Sequence, residues 1–167
     1  MDSMPSSTKT LRAALVTGAC MVTLGGCVDA LTTPKCAPVT FSQAAVNGDT
    51  VTTTTGLRYI EGVVGSGLVV GWCHNIAVHY DAFLADGTKF DSSRDIGQPL
   101  IFAPGLGGLI DGFEQGVIGM HGGGTRRLII PPELAFGSEA RRDASGQVIV
   151  PGNSTLVYDI EIIQVGQ

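Results

Sequence analysis

An α+β fold, an antiparallel β half-barrel wrapped around one short helix, is predicted by three observations. Alternating and β-branched runs recur from Thr50 onward, and only residues 109–118 space their apolar side chains as a helix does. The third is that 24 glycines in 167 residues suit a turn-rich β protein better than a helical bundle. With 44% hydrophobic and 15% charged residues, the chain has room for one compact domain and a short appendage. A net charge of -5 carries no electrostatic footprint for nucleic acid. The expected division is a leader over 1–26, a tether over 27–49 and the folded domain over 50–167.

Lys9 and Arg12 form a short basic region, and residues 13–24 are apolar or small. That run is shorter than the roughly 20 residues a membrane-spanning helix needs, so it reads as a secretory signal peptide. It ends in Leu24-Gly25-Gly26-Cys27, which resembles the lipobox of bacterial lipoproteins. The resemblance implies cleavage before Cys27, acylation of that cysteine and residence in the bacterial cell envelope, facing the periplasm. Val28 in place of an aspartate favours the outer membrane by the same resemblance. An ordinary signal peptide, or a buried strand, is the plain alternative. Several acyl chains on one residue anchor stably where a single chain is marginal.

Cleavage would remove Cys20 and acylation would occupy Cys27, which leaves Cys36 and Cys73. In an oxidising compartment an even remainder suggests a disulfide, with two buried thiols as the alternative. Closing a loop of about 37 residues would stabilise the fold by roughly 3 to 4 kcal/mol. Residues 28–49 are rich in Thr, Ala, Ser and Pro with no sustained period, as in a spacer.

Within the domain, residues 51–55 form a β-branched run expected as an edge strand, and 57–64 a second extended segment before Gly65-Ser66-Gly67 turns the chain. Residues 76–83 alternate, with Ile76, Val78, Tyr80 and Ala82 on one face and Ala77, His79, Asp81 and Phe83 on the other. Asp86-Gly87 predicts a hairpin turn, 88–90 the returning strand, and Asp91-Ser92-Ser93 its end. A short strand follows at 100–102, then an irregular loop at 104–108. The helix over 109–118 has Leu109, Ile110, Phe113, Val117 and Ile118 on one stripe, with Asp111 and Glu114 expected on its exposed face. Residues 125–130 return as a strand that Pro131-Pro132 stops, and 138–147 read as a loop. The pairs Arg126-Arg127 and Arg141-Arg142 read as solvated strand and loop faces. Residues 156–165 alternate as a half-buried final strand.

The 76–91 hairpin sets Phe90 beside Asp91, with the Tyr80 phenol on the partner strand. An aromatic wall with one carboxylate and one hydroxyl suits an uncharged, mostly apolar ligand with a polar handle. This stretch resembles the signature of FKBP-type peptidyl-prolyl cis-trans isomerases. So do Gly112-Phe113-Glu114-Gln115-Gly116-Val117, Ile130-Pro131-Pro132-Glu133-Leu134-Ala135-Phe136-Gly137 and the run from Pro151 to Glu161, in the same order. The resemblance implies the FKBP fold and a proline pocket made of Tyr80, Phe90, Asp91, Leu100, Leu109, Ile110, Phe113, Ala135, Phe136, Ile149 and Tyr158. Within it, the Ile110 amide and the Tyr80 hydroxyl would hold substrate carbonyls.

Three positions depart from the family pattern. Phe113 stands where many members have a tryptophan floor, Phe136 where a tyrosine hydroxyl is usual, and Ile96 where an arginine often pairs with the pocket carboxylate. Leu100 also replaces an aromatic, and the 138–147 loop lacks a rim histidine. The expectation is an isomerase with a weakened ligand pocket, acting on proline-containing polypeptides as a monomer. It would use no cofactor or metal, bind no nucleic acid and meet the membrane only through Cys27. A non-catalytic proline-peptide module or holdase is the alternative. His121-Gly122-Gly123-Gly124 imitates an esterase oxyanion loop, but no Gly-x-Ser-x-Gly elbow accompanies it. Cys73, His74 and His79 fit no zinc spacing, and His79 reads as a satisfied core histidine.

Overall fold

The computed structural model describes residues 48–166. The leader, Cys27 and Cys36 lie outside them. Among the described residues nine strands run β1 (Thr50–Thr52), β2 (Arg58–Glu61), β3 (Ile76–Leu84), β4 (Lys89–Ser92), β5 (Leu100–Phe102), β6 (Thr125–Ile130), β7 (Arg141–Arg142), β8 (Val148–Val150) and β9 (Leu156–Val165). The helices are a single turn, α1 (Ser93–Ile96), and the longer α2 (Asp111–Val117), with a 3-10 turn at Pro132–Leu134. The main sheet is antiparallel in the order β1-β2-β6-β9-β3-β4, with β5 also on β3; β7 and β8 form a separate hairpin.

The register follows from the alternation. Val78 faces Ile162, Tyr80 faces Ile160 and Ala82 faces Tyr158, while Leu128 faces Tyr158 from the other side. Those side chains form one inner face, and Val78, Leu128, Leu156 and Ile162 there have no exposed surface. Burying such a face is what fixes strand register, because a slip of one residue would turn every apolar side chain outward.

Helix α2 lies against β6, and two of its glycines permit the approach. A methyl group at Gly112 would collide with Ile130, and one at Gly116 with Leu128. The helix is shorter at its start than the apolar stripe suggests. Ile110 is extended (φ -63, ψ 142) and caps it, so Leu109 and Ile110 precede the helix.

Two charged residues are buried contrary to their sequence reading. Arg126 alternates inward with Leu128 and Ile130 and is 6% exposed. Its guanidinium donates to Gly116 O at 2.7 Å and Ile118 O at 3.2 Å, carbonyls that the end of α2 leaves without intrahelical partners. It also pairs with Glu61 and lies 4.3 Å over the Tyr59 ring. Arg127, by contrast, is exposed and pairs with Asp159, as a solvated strand face should. Glu114 is the second buried charge and belongs to the site.

Candidate active site: an aromatic cleft at the start of the helix

The β3–β4 hairpin carries a bulge. Ala82 pairs with Asp91 and Phe83 with Lys89, so Phe90 is the extra residue. Bulges re-aim the side chains beside them, and here Asp91 is turned to the phenol of Tyr80 two residues along β3. The turn before it is closed by Leu84 N–H on Thr88 O at 2.8 Å, with Gly87 at φ 90. Ser92 then ends the strand by capping α1. Its Oγ accepts from the Arg94 and Asp95 amides and donates to Asp81 at 2.6 Å. His79, half-buried on the opposite face of β3, meets Ser93 Oγ through Nδ1 at 3.0 Å, in line with the reading of a satisfied histidine.

Between this hairpin, β5, the start of α2 and the segment after β6 lies a cleft of about 560 Å³. Tyr80, Asp91, Leu100, Leu109, Ile110, Phe113, Ala135, Phe136 and Tyr158 line it, with Gly108, Asp111, Glu133, Leu134 and Arg141. Three rings converge at its base. The Phe113 centroid is 5.2 Å from that of Tyr158 and 5.8 Å from that of Tyr80, both edge to face, and Tyr80 is 5.9 Å from Tyr158. Such pairs stabilise beyond the area they bury. Phe113 is 3% exposed and braced from behind by Phe102 at 5.6 Å.

Phe90 and Ile149, expected in the pocket, are placed differently. Phe90 does not line the cleft; it supports the wall by meeting Tyr158 edge on at 6.1 Å. Ile149 is 37% exposed on β8 and is not a lining residue either.

The polar contacts at the base of the cleft centre on Asp91. Tyr80 Oη donates to Asp91 Oδ2 at 2.8 Å, and the Ser92 amide holds Asp91 Oδ1 at 2.8 Å. With Ile96 in place of an arginine, a phenol and an amide hold the carboxylate. The phenol has one proton and gives it to Asp91, so Tyr80 is not free to hold a substrate carbonyl as expected; this corrects the sequence reading. Burial, then the hydrogen bond to Asp91 and its charge, push the Tyr80 hydroxyl well above the ordinary tyrosine range. Burial and the charges of Tyr80 and Asp91 do the same to Tyr158. Both phenols are therefore neutral at physiological pH.

Glu114, read as exposed, is 4% exposed and organises the cleft's lip. Its carboxylate accepts from the amides of Gly105 at 2.9 Å, Gly108 at 3.1 Å and Leu109 at 3.2 Å. Irregular backbone needs acceptors that no strand supplies, and this side chain supplies them from the helix. The next amide, Ile110 N–H, meets no acceptor among the described residues and belongs to a residue that lines the cleft. Arg141 was also missed. Its guanidinium sits 5.0 Å from the centre of the Phe136 ring.

Cys73 donates its amide to Pro104 O at 2.8 Å; Cys36, expected as its disulfide partner, lies outside the described residues.

An antiparallel sheet clasping a short helix, with three aromatic rings converging at the base of one cleft, defines the class of fold and site. Residues 73–163 match the family model for FKBP-type peptidyl-prolyl cis-trans isomerase, and the chain belongs to that family. Over 88 residues it is 46% identical to FK506-binding protein 2 of Dictyostelium discoideum, covering 53% of this chain and 62% of that one. It is 43% identical over 90 residues to an FK506-binding protein of Neisseria meningitidis serogroup C, covering 54% and 78%. The crystal structure of AtFKBP13 superposes with a TM-score of 0.65 at 36% identity, covering 70% of this chain and 98% of that one. The chain spans about half the length of several curated relatives it matches, 44% and 55% in two of them.

Proposed function

We propose that this domain is a peptidyl-prolyl cis-trans isomerase that speeds X-Pro rotation by holding the twisted amide in its aromatic cleft. The observation that carries the reading is the convergence of Tyr80, Phe113 and Tyr158 on a cleft where the Ile110 amide is an open backbone donor.

The uncatalysed rotation takes tens to hundreds of seconds because amide resonance must be broken. At the twisted state the nitrogen becomes pyramidal and charge separation falls, so an apolar wall favours it over the planar amide. Phe113 and Tyr158 would seat the proline ring. The Ile110 N–H would hold a carbonyl oxygen that stays fixed while the other side of the bond turns, and Glu114 keeps that amide in place by pinning the loop before it. Asp91 orients the Tyr80 ring and sets the local charge; no step asks it to move a proton. Each 1.36 kcal/mol of preference for the twisted state gives about tenfold in rate.

The envelope location belongs to the same proposal. It rests on Leu24-Gly25-Gly26-Cys27, and an oxidising compartment would suit the disulfide expected between Cys36 and Cys73. Clients would then be envelope or secreted polypeptides. Labelling with an alkynyl fatty acid should mark the wild-type chain and not Cys27→Ser. Label retained in the variant would remove the anchor.

A protease-coupled assay on a Leu-Pro peptide tests the activity. The smaller floor at Phe113 and the missing hydroxyl at Phe136 favour one second reading, a proline-peptide module or holdase. Binding without acceleration would establish it.

A further inference from the structure

The apolar mechanism leaves the charged rim of the cleft unused. Asp91 is held by Tyr80 and Ser92. Arg141, at the start of the β7–β8 hairpin, lines the cleft and is exposed, with its guanidinium over the Phe136 ring. Among the described residues the ion pairs use Lys89, Arg94, Arg126 and Arg127, and none uses Arg141. Its neighbour Arg142 bonds Gly146 O inside its own hairpin. The carboxylates of Asp111 and Glu133 stand on the same rim and pair with no cation among the described residues. The rim therefore presents both signs at separate points, with the positive one resting on a ring.

Stacking on an aromatic face fixes the plane of a guanidinium and leaves its N–H edges outward. A flat fork of donors at the lip of an apolar cleft is shaped for a carboxylate. A peptide carbonyl would fit less distinctively, since every peptide carries one, whereas charge-assisted bonds are about twice as strong.

We infer that Arg141 is a specificity-determining residue, which selects proline peptides carrying an acidic side chain close to the proline by pairing with that carboxylate. The inference rests on the cleft being where the prolyl peptide binds. A lysine at the same substrate position would be repelled, so discrimination is sharper between acidic and basic peptides than between acidic and neutral ones.

The test uses two peptide series, with Ala, Asp or Lys either before the X-Pro pair or after the proline. Isomerisation kcat/KM and NMR-titration Kd are measured for wild type, Arg141→Ala, Arg141→Lys and Arg141→Glu at low and high salt. In one series wild type should prefer Asp over Lys by roughly twofold to fivefold, the range for an exposed ion pair. High salt should shrink that ratio. Arg141→Lys should keep most of it, Arg141→Ala should bring it near unity and Arg141→Glu should invert it. Equal Asp-to-Lys ratios in wild type and Arg141→Glu would overturn the inference. The Ala peptides separate the two levels. If wild type accelerates them but shows no charge response, Arg141 alone loses its role. If it accelerates none, the isomerase reading falls and the Kd ratios still decide Arg141.

Discussion

Tyr80 Oη lies 2.8 Å from Asp91 Oδ2 and donates its single proton there. The phenol thus serves the cleft as a ring held at a fixed angle, and the carboxylate is the strut that holds it. Acting as one unit, the two should show coupled kinetics. Tyr80→Phe and Asp91→Ala should each lower kcat/KM about tenfold, and the double variant should be little worse than either single one. Simple multiplication of the two losses would show that they act separately.

Tyr80 and its neighbour Tyr158 set an alkaline limit. The Tyr80 and Tyr158 hydroxyls are both raised in the folded domain, chiefly by burial. A raised folded value means that stability is fully present below the unfolded tyrosine value of about 10 and drains away as pH rises toward the folded ones. Urea midpoints should therefore fall steeply above about pH 10. Tyr80→Phe and Tyr158→Phe should each flatten that fall. An unchanged alkaline slope in both would disprove the assignment.

Glu114 holds three loop amides, so its loss should be felt in the loop and then in the chemistry. Glu114→Ala should destabilise the domain by about 3 kcal/mol through unpaired buried donors. Hydrogen exchange at Gly105, Gly108 and Leu109 should accelerate first, and kcat/KM should drop as the Ile110 amide loses its support. Unchanged exchange at those amides would contradict this.

The floor and the wall can be altered in opposite directions. Phe113→Ala empties a site that is 3% exposed and should cost roughly 3 to 5 kcal/mol of stability with loss of activity. Phe136→Tyr adds a hydroxyl to a residue lining the cleft and should tighten a carbonyl-bearing ligand by about 0.5 to 1.5 kcal/mol. Calorimetric titration with one such ligand reads the second effect. Weaker binding by Phe136→Tyr would show that the hydroxyl has no carbonyl to meet.

The sequence signals were strongest where a side chain's role follows from its own strand. Period-two alternation over 76–83 put Tyr80 on the face with Ile76, Val78 and Ala82, and the sheet register keeps it there. Charged residues were harder, because a carboxylate on a helix reads the same whether it meets water or a loop's amides. Glu114 and Arg126 are buried by needs that arise elsewhere in the chain, the amides of Gly105, Gly108 and Leu109 and the open carbonyls of α2. The glycine-rich run just before the helix was the available sign of the first. Leu109 and Ile110 fit the helical stripe yet precede the helix, since apolar spacing records which residues face the core and not where hydrogen bonding begins. The β7–β8 pairing lay hidden in a charged, glycine-containing loop, and with it the positions of Arg141 and Ile149.

The most direct test is exchange NMR on an unmodified Phe-Pro peptide at equilibrium, with catalytic amounts of the domain. Wild type should bring cis-trans interconversion from tens of seconds to a rate visible as exchange cross-peaks, and Phe113→Ala should not. Saturable binding of the peptide with the uncatalysed rate unchanged would contradict the isomerase reading.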